Sequence, residues 1–138
     1  MITMIYLDAN IFLYALLNSD EKGRACRQIL AKIATRQEDG CTSFLTWDEL
    51  LHILKKNRER DVAIHESGQF LHFPNLSFIN VDETVIFKAQ ELVKKYALNP
   101  RDAIHAASAL MRNINRILSD DPDFDKIKEM KRVTIGKF

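Results

Sequence analysis

ITMIYLDANI, residues 2–11, contains the stretch that decides the fold, an apolar run that ends on an acid. Ile2 to Leu7 are almost all apolar, which is typical of a β-strand buried on both faces of a parallel sheet. Asp8 follows directly, and a carboxylate so close to the interior needs a hydrogen-bonding partner or a cation. We therefore expect a central strand whose carboxyl end carries a functional acid.

Further along the chain, short apolar runs alternate with helical patterns. The runs predict strands at Cys41 to Leu45, Leu76 to Val81, Ile117 to Ser119 and Val133 to Ile135. The helix that begins near Asp20 is expected to be broken at Gly40, and Asp82 and Pro100 are expected to start later helices. Strands joined by helices predict an α/β fold: a three-layer α/β/α sandwich around a five-stranded parallel sheet, one domain over residues 1–138.

Composition narrows the class of protein. With 46% apolar and 28% charged residues, the chain is an ordinary globular protein rather than a disordered one. Its formal net charge of +1 does not by itself indicate a nucleic-acid binder.

Cys26 and Cys41 are isolated in the sequence and do not have the spacing of metal ligands, so we expect reduced, buried thiols. No apolar stretch approaches the length of a membrane span or of a signal peptide's apolar region, so we expect a cytoplasmic protein without a membrane partner.

Several acids fall where predicted strands end. Asp8 follows the first strand, Glu49 the second and Asp121 the fourth, and ligands of such sheets bind at the carboxyl ends of the strands. Asp102 lies on a helix whose edge the alternation does not determine. Converging carboxylates repel one another unless a proton or cation compensates, and hard oxygen ligands favour Mg²⁺ or Mn²⁺. Such ions accept phosphate oxygens and activate water for attack on phosphorus, so a metal-dependent nuclease is predicted.

Each acid also has a purely structural interpretation. Thr46 and Glu49 have the spacing of a capping box, which for Glu49 alone is the better explanation. Asp102 stands in the first turn of a capped helix, where an acid complements the helix dipole. The acids from Asp120 to Asp125 would also suit a solvated turn. The functional hypothesis therefore depends on the set and not on one member.

Four stretches of the sequence together resemble the successive motifs of the PIN domain family, in particular its VapC-like toxins. They are YLDANIFLYA at residues 6–15, SFLTWDEL at 43–50, DAIHAASA at 102–109 and ILSDDPDF at 117–124. The resemblance covers nearly the whole chain and implies a five-stranded parallel sheet flanked by helices. It also implies that Asp8, Glu49, Asp102 and Asp121 surround Mg²⁺ or Mn²⁺, and that RNA cleavage leaves a 3′-hydroxyl and a 5′-phosphate.

The last motif departs slightly from the family pattern of a hydroxyl residue, any residue and then Asp. Aligning Ser119 with the hydroxyl selects Asp121 over Asp120, and strand alternation agrees. Asp123 is a further metal candidate, while Asn10 and Ser119 are supporting candidates. His105 falls inside the third motif, but on an Ala-rich helix we expect a packed or hydrogen-bonded role rather than a catalytic one.

Three functions remain open at this stage. The leading one is an endoribonuclease toxin, for which the resemblance implies an RNA substrate, a small cognate antitoxin with a basic tail over the acidic cleft, and a homodimer. The second is a non-catalytic RNA-binding or interaction domain with the same fold. The third, a phosphohydrolase of the haloacid-dehalogenase type, needs a second Asp two residues after the first, and position 10 is Asn.

Overall fold

The computed structural model of the protein describes residues 3–138 and, within them, a sheet of five parallel strands. The strand order is β3-β2-β1-β4-β5, with β1 at the centre as the sequence predicts. The predicted first strand included Ile2, which lies outside the described residues. The bounds are Ile5–Leu7 for β1, Gly40–Ser43 for β2, Leu76–Ile79 for β3, Arg116–Leu118 for β4 and Lys131–Val133 for β5.

Helices cover both faces of this sheet. Local signals begin several of them: Asp20 accepts a hydrogen bond from the Gly23 amide, and Asp82 accepts one from the Val85 amide. Pro100 occupies the first turn of the last α-helix. The bounds are Ala9–Leu17 for α1, Glu21–Ala34 for α2, Leu45–Asn57 for α3, Arg60–Leu71 for α4, Glu83–Tyr96 for α5 and Pro100–Leu110 for α6.

The side chains of the central strand β1 belong to two separate apolar cores, one on each face of the sheet. Ile5 and Leu7 pack with α1 to α4 on one face, whereas Tyr6 packs with α5 and α6 on the other, and all three are 0% exposed. Alternation of side chains along a strand requires this division. The three-layer α/β/α sandwich is therefore confirmed. The same alternation places the side chain of Tyr6 on the face of the sheet that packs against α6.

Gly40 has a different role from the one predicted. The helix before it ends at Ala34, and Gly40 is the first residue of β2. A Cβ atom at this position would lie 2.6 Å from Ile33 Cδ1 and 2.9 Å from Leu7 Cδ1. The missing side chain thus allows α2 to pack closely on the sheet, and the prediction of a helix breaker was wrong.

Two remaining expectations concern the cysteines and membrane spans. Cys26 and Cys41 are free and buried, and burial raises the pKa of their thiols to about 11 and about 12. Neither thiol is therefore ionised near neutral pH. Across residues 3–138, none of the helices combines the length and apolar character needed to cross a membrane.

Candidate metal centre

The acids gather where the strand order reverses. β1 is followed along the chain by its neighbour β2, whereas β4 on its other side is reached only after α6. The carboxyl ends of β1 and β4 therefore flank the crevice in which α/β sheets of this kind bind ligands. Asp8 follows β1 directly, and Ser119 to Asp121 follow β4 directly.

Asp8 is the most deeply buried of the predicted acids, with 6% of its surface exposed. Its Oδ1 accepts a hydrogen bond from the Ala9 amide at 2.7 Å and caps α1, and its Oδ2 accepts one from Ser119 Oγ at 2.6 Å. Burial raises the pKa of Asp8, although His105 and Ser119 lower it in part. Two hydrogen bonds thus fix the orientation of the carboxylate, while burial makes its charged form costly.

Ser119 connects the acids that follow the two adjacent strands. Its hydroxyl donates to Asp8 and accepts a hydrogen bond from the Asp121 amide at 3.0 Å. The residue is fully buried, and its hydroxyl adds to the backbone hydrogen bond from the Asp8 amide to Leu118 O, which joins the ends of β1 and β4 at 3.1 Å. Ser119 thus lies between two of the predicted acids, and its supporting role stays a prediction.

Asp102, Asp121 and Asp123 form the closest group of acids. One carboxylate oxygen from each lies within 4.8 Å of the others, so the start of α6 reaches the same edge as β4. Burial, followed by the charges of Asp121, Asp8 and Asp123, raises the pKa of Asp102 to about 6. The structure therefore places Asp102, which the alternation of elements left open, and brings Asp123 in with it.

Glu49, on α3, lies outside this group of three acids, as does Asp8. The helix begins at Leu45, so Thr46 lies inside its first turn and not at the cap, and the capping-box interpretation was wrong. Instead, Glu49 Oε1 accepts a hydrogen bond of 2.6 Å from His105 Nε2. The same nitrogen lies 3.7 Å from Asp8 Oδ1, so one imidazole lies against two of the predicted acids.

His105 is 1% exposed and is hydrogen-bonded at both ring nitrogens. This agrees with the packed or hydrogen-bonded role that the sequence predicts for it. Its Nδ1 lies 2.6 Å from the hydroxyl of Tyr6, which also accepts the Ser43 amide proton at 3.0 Å. Burial lowers the pKa of His105, but Tyr6, Glu49 and Asp8 more than offset this and raise it well above its ordinary value. No local pattern of the sequence signals these contacts, because Glu49 and Tyr6 lie 56 and 99 residues from His105 along the chain.

Asp120 points away from these acids. Its Oδ2 accepts hydrogen bonds from Lys22 Nζ at 2.8 Å and from the Tyr14 hydroxyl at 3.0 Å, and these contacts lower its pKa. Asn10 lies in the first turn of α1, and among residues 3–138 its buried Oδ1 has no hydrogen-bond donor. The preference for Asp121 as a ligand and the supporting role of Asn10 stay predictions.

Replacing Asp102 with Asn should stabilise the protein when metal is removed. A carboxyl whose folded-state pKa is raised to about 6 gives its full stabilisation below its ordinary pKa and loses it as the pH rises through 6. In EDTA at pH 7.5 we expect Asp102→Asn to raise the free energy of unfolding by about 1–2 kcal/mol, after allowance for solvent screening. Urea unfolding at pH 7.5 and at pH 4 measures the effect, which should shrink at the lower pH.

Asp61→Asn is the matched control, since Asp61 also lies in a first helical turn but its side chain is 96% exposed. It should not raise the stability at either pH. Equal stabilisation by both variants, or none from Asp102→Asn, would argue against charge repulsion at the centre.

Known protein families and solved structures share the fold of this chain. The protein is an α/β sandwich with acids at the switch between two central strands, the place where sheets of this class bind ligands. The sequence profile of the PIN domain family matches residues 5–130. The chain belongs to the PIN domain family, and the predicted resemblance is confirmed.

Several individual proteins are similar over most of their length. Ribonuclease VapC2 of Methanocaldococcus jannaschii is 22% identical over 143 residues, covering 95% of this chain and 93% of the relative. The VapBC2 complex of Rickettsia felis bound to promoter DNA matches with a TM-score of 0.74, 18% identity, and coverage of 96% and 98%. VapC20 of Mycobacterium tuberculosis, a toxin that cleaves the sarcin-ricin loop, matches with a TM-score of 0.72, 15% identity, and coverage of 88% and 92%.

Proposed function

We infer that this protein is a metal-dependent endoribonuclease, the toxin of a toxin–antitoxin pair, acting as a single domain. The observation that carries the proposal is the convergence of Asp102, Asp121 and Asp123 within 4.8 Å, next to the Ser119 bridge to Asp8. So many carboxylates at one place are costly unless a cation compensates them. Their raised pKa values at Asp8 and Asp102 express that cost.

The side chains present suit Mg²⁺ or Mn²⁺. All are hard oxygen donors, which both ions prefer, and the buried Asn10 oxygen adds a neutral one. Asp8, Glu49, Asp102 and Asp121 would hold the metal, and Asp123, which lies within 4.8 Å of Asp102 and Asp121, is a further candidate ligand. When bound, such an ion offsets the negative charge that develops on the attacking and leaving oxygens of a phosphodiester.

The residues of the chain itself keep the centre in order. Ser119 holds the Asp8 and Asp121 segments together, and Asp121 Oδ1 accepts the Asp123 amide proton at 2.9 Å. At the border of the centre in the sequence, Lys22 pairs with Asp120, the neighbour of Asp121, and Arg101, the neighbour of Asp102, pairs with Asp48. The two cationic side chains are 43% and 59% exposed. Exposed cations at this border would attract the phosphate backbone of a substrate.

RNA as the substrate is supported by two relatives, one named as a ribonuclease and one as a toxin that cleaves the sarcin-ricin loop. A small antitoxin is supported by the similarity to VapBC complexes. Its basic tail would cover the acidic cleft, and an open apolar groove of about 540 Å³ lined by Phe12, Leu30 and Phe70 offers it further surface. We also propose a homodimer, in keeping with the family resemblance.

RNA cleavage by the purified protein tests the proposal directly. We expect cleavage with Mg²⁺ or Mn²⁺, its loss in EDTA, and its recovery when excess Mg²⁺ is added back. The reason is that carboxylates alone cannot offset the negative charge that develops on the phosphodiester. The products, separated on a denaturing gel, should accept a 5′-end label only after phosphatase treatment.

Each alternative has its own outcome in this assay. Cleavage that persists in EDTA would refute the metal-dependent mechanism. Metal binding without cleavage would favour a non-catalytic RNA-binding domain of the same fold. Hydrolysis of a small phosphate monoester in place of RNA would favour the haloacid-dehalogenase type of reaction.

A further inference from the structure

We propose that His105 and Tyr6 are positioning residues that hold Glu49 in the orientation required for metal binding. The proposal rests on the proposed metal-dependent function, but it concerns contacts within the chain. Glu49 stands on α3, whereas the closest acid group stands on α6 and on the segment after β4. The imidazole of His105 joins these parts through its 2.6 Å contact with Glu49.

The direction of the hydrogen bonds follows from the chemistry of the partners. An ionised Glu49 carboxylate only accepts, so Nε2 of His105 carries the proton in this contact. This holds whether the ring is neutral or charged. Since Nε2 binds Oε1, the second oxygen of Glu49 stays available for a cation.

Tyr6 orients the imidazole from its other side. Its ring meets the His105 ring edge-on with centroids 5.6 Å apart, and its hydroxyl lies 2.6 Å from Nδ1. The Ser43 amide donates to the same hydroxyl at 3.0 Å. A chain of buried hydrogen bonds therefore runs from β2 through β1 and α6 to Glu49, and such chains strengthen one another in a site of low polarity.

Burial makes this chain more than a chance contact. Tyr6 is 0% exposed and His105 is 1% exposed, so neither side chain can exchange its partner for bulk water. Glu49 is the more accessible member, with 20% of its side chain exposed. Without the imidazole, Glu49 would be free to turn towards solvent, since the start of α3 does not hold it.

Mn²⁺ affinity, measured by electron paramagnetic resonance on the folded chain, tests the proposal. Loss of a residue that orients a ligand weakens metal binding by about tenfold to a hundredfold. We expect His105→Leu to fall in this range, close to Glu49→Gln, and Tyr6→Phe to weaken binding by a smaller factor. Tyr14→Phe is the control, because it removes a hydroxyl that binds Asp120 instead.

The decisive measurement is the double variant Glu49→Gln/His105→Leu. If His105 acts through Glu49, the second change adds almost no further loss of Mn²⁺ affinity, whereas independent roles would multiply the two losses. Tyr6→Phe keeps the buried ring, so it provides the same comparison in the Glu49→Gln background should His105→Leu not fold. Thermal unfolding of each variant separates lost stability from lost affinity.

The outcomes distinguish this inference from the function on which it rests. Unchanged Mn²⁺ affinity in folded His105→Leu or Tyr6→Phe, or equal losses with and without Glu49, would overturn the positioning role and leave the nuclease proposal standing. Coupled losses of affinity in a protein that does not cleave RNA would support the positioning role and overturn the nuclease. Wild-type protein that binds no Mn²⁺ would overturn both.

Discussion

Asp121→Asn is expected to lower kcat/KM for RNA cleavage by about a hundredfold or more, whereas Asp120→Asn should stay within a few-fold of the wild type. A catalytic metal ion stabilises the transition state by several kcal/mol, and this stabilisation depends on the ligands that hold the ion. A loss of about 3 kcal/mol corresponds to a hundredfold lower rate. Asp121 lies with Asp102 and Asp123, but Asp120 binds Lys22 and Tyr14. Rates with a short RNA at saturating Mg²⁺ measure both variants.

The pair is well matched, since the two acids are adjacent in the chain and the substitution is the same. Asp120→Asn removes one exposed ion pair, which contributes about 0–1 kcal/mol to stability, so both variants should remain folded. Equal losses at the two positions would mean that this segment acts through its conformation. A larger loss at Asp120 would reverse the assignment of the ligand.

Most of the fold follows from local features of the sequence. The apolar run before Asp8 predicts a central strand, and the caps Asp20 and Asp82 predict the starts of two helices, all as observed. These signals act within a few residues and need no knowledge of distant contacts. Gly40 was misjudged because its reason is a long-range one: the side chains of Ile33 and Leu7 occupy the space of its Cβ atom.

The candidate site divides in the same way. The positions of Asp8 and Asp121 follow from strand ends, and the structure places their segments side by side. Asp102 could not be placed by counting elements, because two successive helices, α5 and α6, separate β3 from β4. Its grouping with Asp121 and Asp123 is a product of the tertiary fold.

Glu49 illustrates how a local rule competes with a tertiary contact. Its spacing from Thr46 is that of a capping box, yet Thr46 Oγ1 instead contacts Thr42 Oγ1 at 2.6 Å. Because α3 begins at Leu45, the Glu49 carboxylate does not bond to the backbone at the helix start. It accepts a hydrogen bond from His105 instead. Sequence spacing alone could not predict this choice, since the competing partner is 56 residues away.

Asp8→Asn is expected to produce the largest loss of activity, about a thousandfold or more in kcat, while the protein remains folded. Asn keeps the shape of Asp and still accepts the Ala9 amide proton, so the cap of α1 survives. What is lost is the negative charge at the end of the central strand, together with the oxygen that accepts from the Ser119 hydroxyl. Because burial raises the pKa of Asp8, removing that charge should leave the metal-free protein at least as stable as the wild type.

Asp82→Asn is the matched control for the loss at Asp8, since Asp82 also caps a helix after a strand. It follows β3, two strands away from β1 in the sheet, and accepts bonds only from Val85 and Thr84 among the described residues. Single-turnover cleavage and thermal unfolding should therefore find Asp82→Asn active and Asp8→Asn inactive at similar stability. Asp8→Asn keeps the helix cap and the fold and removes the carboxylate. If this variant cleaves RNA at the wild-type rate, the buried carboxylate has no part in the mechanism.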